Sequence, residues 1–201
     1  KHLSLFLKQP ALDFVMCNYI VHDCINDGSY SVSLSKFAKN FPSSIVLGPG
    51  PFFQCCLFKK AFIMNSLDAF NALSEPSEDW DFFLSVAHKN PIVAHIDESL
   101  FHWNFSHESQ SANFKKEWLA IEYIITKNKN VFLAFGSKNN LSLQFRRLGY
   151  YMYGLKKPGQ SKHYYNLAYS TFPWSIANVC YKLLFLMPNN VIKYFMKTKN
   201  I

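Results

Sequence analysis

Charge is scarce in this chain of 201 residues: Asp, Glu, Lys and Arg together make up 17% of it, against 49% hydrophobic residues. That balance excludes disorder and coiled coil as descriptions of the whole. The five cysteines, Cys17, Cys24, Cys55, Cys56 and Cys180, contain no Cys-x-x-Cys and are odd in number, which argues against a zinc knuckle and against a disulfide framework. They read as buried thiols of a reduced protein. No internal repeat recurs at a plausible period. No basic-then-apolar leader is present, and the chain does not open on Met, so Lys1 is expected to be an internal residue of a longer protein. The longest uncharged run, Tyr164 to Tyr181, is interrupted by Asn166, Pro173 and Asn178 and makes a poor membrane span.

Acid is scarcest in the second half. Residues 1–110 hold seven Lys and eleven acids, net −4, whereas residues 111–201 hold twelve Lys and two Arg against Glu117 and Glu122 alone, net +12. The same half carries nine of the eleven tyrosines. Lys and Tyr can bury their stems while keeping polar tips in water, which suits an anionic boundary such as membrane headgroups. A nucleic-acid reader would be expected to use the planar fork of Arg, so the nineteen Lys against two Arg speak against nucleic acid as the partner.

What is present is a core-forming composition, with 20 Phe, 11 Tyr and 4 Trp, in a length that suits one domain or a domain with an appendage. Leu12 to Val21 is apolar, β-branched and aromatic, and predicts a strand running into the loop Asn26-Asp27-Gly28. Gly48-Pro49-Gly50-Pro51 is a defined loop before a second buried strand, Phe52 to Phe58, and Lys59 begins a short helix. Ser77 is a good N-cap for a helix over Glu78 to Lys89, whose Trp80, Phe83, Leu84 and Ala87 share a face. Ile92 to Ile96 and Leu100 to Trp103 follow as two short strands with a turn at Asp97-Glu98-Ser99. This alternation predicts an α/β sheet unit over 1–110. Residues 111–201 predict a basic, mainly helical region, with helices ending near Lys127, over Leu141 to Leu155 and Trp174 to Met187, and a last amphipathic piece ending near Lys197.

Chemistry concentrates in Ser77-Glu78-Asp79-Trp80-Asp81, three carboxylates at a helix start. Acids in a first turn are favoured by the helix dipole alone. An indole among them, reached from a Gly-Pro loop and a strand, points further, to a general base aimed from a rigid element and ionised near neutral pH. Catalysis by Cys55 or Cys56 is not supported, since neighbours in a strand face opposite ways. Prolines in the Gly48 to Pro51 loop remove N–H donors that a phosphate cradle needs, leaving a shaped wall for donor or acceptor.

The order of Gly48-Pro49-Gly50, Phe53 to Phe62, Glu78-Asp79-Trp80-Asp81-Phe82-Phe83-Leu84, Ile92 to Ile96, Leu100-Phe101-His102 and His107-Glu108-Ser109-Gln110-Ser111 resembles the second half of a family 2 glycosyltransferase of the GT-A fold, over roughly residues 3–111. The resemblance implies a partial GT-A-like (Rossmann-like) mixed sheet. It implies inverting transfer from a nucleotide-sugar donor to a glycan or lipid-linked acceptor, as in surface polysaccharide synthesis. Asp79 takes the role of catalytic base, and Glu78 orients it or contacts acceptor. Trp80, Asp81, Gly48 and Gly50 would line the substrate, and His102 or His107 would lie near the donor phosphates. The family's Mg or Mn ion is held by an Asp-x-Asp that precedes the equivalent of Leu3 to Tyr19. Asp79-Trp80-Asp81 stands in the wrong place for it, so this chain supplies no metal ligand and lacks the nucleotide-binding units.

Two further expectations follow. Residues 111–201, with Leu183 to Leu186 preceding Lys193, Lys197 and Lys199, would bring the protein peripherally to the inner, cytoplasmic face of a membrane. The competing class is a non-catalytic module that docks on a membrane or polyanion, its acidic helix start a mere cap.

Overall fold

The apolar run after Leu12 becomes the central strand of a four-stranded mixed sheet. In the computed structural model, which describes residues 1–66, 70–108, 114–187 and 189–196, a short helix α1 (His2–Lys8) precedes strand β1 (Phe14–Asp23). Five of the first residues of β1 are buried in succession, as expected of a strand covered on both faces. Asp23 then accepts from the amides of Ile25 and Asn26, Asp27 takes a left-handed φ of 51°, and the chain reverses into β2 (Gly28–Val32). The expected loop is therefore the turn of a hairpin, with Tyr19 opposite Val32 and Asp23 opposite Gly28.

After α2 (Ser35–Lys39) the Gly-Pro loop leads into Phe53–Cys55, a single 3₁₀ turn, and only Cys56–Phe58 forms a strand, β3, antiparallel to the start of β1. Residues 52–55 thus depart from the predicted strand. Cys55 lies in this turn and not in the strand, its thiol donating to Phe52 O at 2.9 Å, so the opposite-face argument for the two neighbouring cysteines loses its premise. Helix α3 (Lys60–Met64) and helix α4 (Glu78–Val86) follow, α4 running into a 3₁₀ turn that ends at left-handed Asn90. Trp80, Asp81, Phe82, Phe83, Leu84 and Val86 are all buried, so α4 beyond its first two residues is enclosed on every side instead of presenting one stripe.

Strand β4 (Val93–Phe105) runs parallel to β1 along its whole length. The two predicted strands are one. Asp97-Glu98-Ser99, expected as a turn, is a bulge: Cys17 pairs with Ile96, Asn18 with Ser99 and Tyr19 with Phe101. Asn18 explains why the ladder survives the extra residues. Its amide oxygen accepts from the Leu34 N–H at 2.8 Å and contacts His95 Nε2 at 2.7 Å, while its amide nitrogen donates to Asp97 at 2.9 Å. Behind the sheet the phenylalanines form the core, Phe14 meeting the rings of Phe41, Phe58, Phe62 and Phe83 at 5.3–6.0 Å.

Contacts divide the chain into two units, Lys1–Ile124 and Ile125–Ile201, the division falling within helix α5 (Phe114–Lys127). The sequence boundary at 110 lies in 109–113, outside the described residues, as does the Ser109-Gln110-Ser111 part of the quoted motif. The second unit continues as α6 (Lys129–Phe135), α7 (Lys138–Gly154), α8 (Pro158–Thr171), α9 (Ile176–Leu184) and α10 (Asn189–Phe195). Gly149 lets α7 and α8 approach closely, since a Cβ there would meet the Tyr165 ring at 3.0 Å. Asn178 of α9, fully buried, ties three helices and a connection together: it donates to Ser142 Oγ at 2.6 Å, Phe172 O at 2.6 Å and Ala168 O at 3.1 Å, and accepts from Arg146 at 3.1 Å.

Candidate active site

Helix α4 begins without a side-chain cap from Ser77, so that predicted N-cap is not made. What fixes the helix start is tertiary. The Trp80 indole N–H donates to Ile45 O at 2.9 Å, which pins the segment before the Gly-Pro loop to the first turn of α4. Gly50 keeps the same joint close-packed, because a Cβ on it would meet Ile45 Cδ1 at 2.7 Å and the Phe37 ring at 2.8 Å. Gly48, in extended backbone, has open space around a Cβ position.

From that joint the chain turns through the 3₁₀ segment and presents the Phe53 N–H to the Asp79 carboxylate. Asp79 is half-buried, with Glu78 beside it, and its pKa is pushed up to about 7 by burial first and by the Glu78 charge second, the Phe53 amide opposing both. From its sequence context Asp79 is expected to stay ionised near neutral pH. Instead it titrates there, because desolvation outweighs the helix start and the single amide. A carboxylate tuned to neutrality both accepts and releases a proton readily, which is what general base catalysis requires. Glu78 adds a second anomaly, a buried Oε2 with no hydrogen-bond partner. Cys56 also faces this charge: burial chiefly, then Cys55, Cys17 and Asp79, hold its thiol well above the usual range, which disfavours the thiolate.

Other expected site residues behave differently. Trp80, 2% exposed, and Asp81, 0% exposed, lie in the core, so neither offers a substrate a surface; enclosure of α4 on all sides is the reason. Gly50 is a packing residue for the same kind of reason. His102 is exposed and stacks on His22 at 5.2 Å, with His22 Nε2 and His102 Nδ1 2.9 Å apart and His22 Nδ1 on Ser29 Oγ at 2.9 Å. His107 is exposed in a turn after β4. Asp79, Glu78, the Phe53 amide and Cys56 are thus what the fold brings together. The Phe53 amide was missed by the sequence reading, since a backbone N–H leaves no mark on residue type.

No protein-family model, no curated protein and no solved structure matches the chain. Among the described residues no group of three or more His, Cys, Asp or Glu could hold a metal ion. Asp79 and Asp81 do not fit the Mg or Mn ion of the glycosyltransferase pattern, because Asp81 is sealed in the core while Asp79 reaches the surface.

The raised pKa has a stability consequence. Asp79 binds its proton more tightly folded, near 7, than unfolded, near 3.8, so folding stability falls as pH rises from about 4 to about 7 and then levels. Asp79→Asn removes that cost. The unfolding free energy of the variant, from urea denaturation, is expected to match the wild type below about pH 4 and exceed it at pH 8, by about 1–2 kcal/mol after allowance for water reaching the carboxylate. A variant no more stable at pH 8 than the wild type would show that Asp79 is not desolvated.

Proposed function

We propose that residues 1–124 are the acceptor-side part of an inverting glycosyltransferase, with Asp79 as the general base. One observation carries the reading: a half-buried carboxylate, at the start of an enclosed helix, held by the Phe53 amide and tuned to about 7. In the proposed step Asp79 removes the proton of the acceptor hydroxyl. The hydroxyl oxygen forms a bond to the anomeric carbon from the side opposite the leaving group, and the nucleoside diphosphate departs with the electron pair of the broken C–O bond. Water takes the proton from Asp79 afterwards. The mixed α/β sheet is compatible with a GT-A-like arrangement, and residues outside this chain would hold donor and divalent cation. The test is transfer by the full-length protein from a panel of nucleotide-sugars, with the product's anomeric configuration determined. Inversion supports the reading; retention, or no transfer from any donor, overturns it.

A second reading, docking on an anionic membrane surface, is favoured by α9. Ile176 is 81% exposed, and Val179 and Leu183 are exposed with it, so an apolar side of this helix faces outward, flanked by exposed Trp174 and Leu186. Glu122 is the last Asp or Glu in the sequence, so residues 125–201 carry an excess of cationic side chains. Lys197 and Lys199 lie outside the described residues. Among the described residues no helix is long and apolar enough to cross a membrane, so the contact would be interfacial. Co-sedimentation is expected with anionic vesicles and little with neutral ones, fading as salt shortens screening to about 3 Å near 1 M. Ile176→Asp with Leu183→Asp should abolish it. Equal binding to both vesicle types would leave this reading without support.

A further inference from the structure

The helical unit contains a cavity of about 540 Å³, within the range of small-molecule sites. Its inner walls are apolar. Phe185 and Ile192 belong to the buried cluster around Tyr165 and Met196, and Tyr153 and Met187 extend the apolar lining outward. Its mouth is cationic, with Lys156 and Lys162 both exposed. Residues 125–201 contain no Asp or Glu side chain to neutralise either lysine.

Lys156 supplies an independent observation. It adopts a left-handed φ of 59° directly after α7, where the Lys157 N–H bonds back to Met152 O at 2.9 Å. Helices usually place Gly at such an end, because a Cβ is strained there. Strained residues concentrate at ligand clamps, where the side chain matters more than backbone ease. A lysine kept in a glycine's position, at the mouth of an apolar cavity, fits that description.

We propose that this cavity binds an amphiphile with an anionic head and an alkyl tail. The head meets Lys156 and Lys162, and the tail enters between Tyr153, Phe185 and Ile192. This inference does not rest on the transferase reading, and it concerns single molecules rather than a lipid surface.

Dodecyl phosphate, titrated into the full-length protein below its micelle-forming concentration, tests it by calorimetry. Dodecyl phosphate is expected to bind, and both inorganic phosphate, which is head alone, and dodecyl maltoside, with a neutral head, are expected to bind at least tenfold more weakly. Lys156→Gly should weaken binding about five- to tenfold without lowering Tm, because glycine suits that backbone better. Ile192→Asp, which puts a charge among the apolar lining residues, should weaken binding of dodecyl phosphate at least tenfold. Dodecanoate in place of dodecyl phosphate tells a carboxylate head from a phosphate; binding of either supports the proposal. Equal binding of dodecyl maltoside, unchanged affinity in Lys156→Gly, or no binding of either anionic amphiphile overturns it.

Discussion

Asp79→Asn is expected to lower glycosyl transfer by the full-length protein by roughly 10²–10⁴-fold, the usual share of a general base, while the fold is retained. Asparagine keeps the shape and can still accept from the Phe53 N–H, so the geometry should persist; what is lost is the capacity to take a proton. The pH profile adds a second readout. With a base near 7, kcat/KM of the wild type should rise through neutrality and level above about pH 8. Glu78→Gln is the informative companion, because it removes the neighbouring charge that helps to raise Asp79. That variant should keep substantial activity with the rising limb displaced to lower pH. Asp81→Asn, by contrast, alters a residue sealed in the core and reports on folding. Transfer that survives Asp79→Asn intact would remove Asp79 from the base role.

Asn178→Ala is expected to destabilise the helical unit by about 2–4 kcal/mol. One side chain serves Ser142, the carbonyls of Ala168 and Phe172, and Arg146, with no exposure to water that could replace it. Alanine would remove that shared donor: Ser142 Oγ would lose its partner from α9, Ala168 O would keep only the Phe172 N–H at 3.1 Å, and Phe172 O only the long Ser175 N–H at 3.5 Å. Arg146 would keep only its bond to Ser175 Oγ of this set, at 3.0 Å. Asn178→Asp separates shape from chemistry: it preserves volume and the acceptor for Arg146, yet turns a negative oxygen toward two carbonyls, and should destabilise as well. Urea denaturation followed by the fluorescence of Trp174, which lies in this unit, measures both. A change below about 0.5 kcal/mol for Asn178→Ala would mean that water or repacking satisfies the network.

Periodicity and residue chemistry carried the sequence reading as far as local rules reach. β1 was legible because a β-branched and aromatic run bounded by turn residues has few other uses. The start of α4 was legible because acids after a Ser-Glu-Pro-Ser loop suit free helix N–H groups. The helical texture and cationic excess of the second unit needed no fold to be seen. The same local logic failed where a distant partner decided the outcome. Asp-Glu-Ser in β4 has turn chemistry, yet pairing with β1 and the Asn18 amide keep it in the ladder as a bulge. Cys55 and Cys56 would face apart in a strand, but a 3₁₀ turn takes Cys55 out of the strand and aims its thiol at Phe52 O.

The candidate base shows the division most sharply. Sequence by itself determined that Asp79 opens a helix beside Glu78, and that an apolar run, Leu183 to Leu186, precedes the last lysines. Only the tertiary structure decided that Asp79 is desolvated and held by the amide of Phe53, while Trp80 and Asp81 are lost to the core. It decided too that the apolar face of α9 points outward. The reason is physical. Hydrophobic period and formal charge are properties of neighbours along the chain, whereas dielectric environment and hydrogen-bond supply depend on which remote segments crowd around a group, and those set its pKa and its exposure.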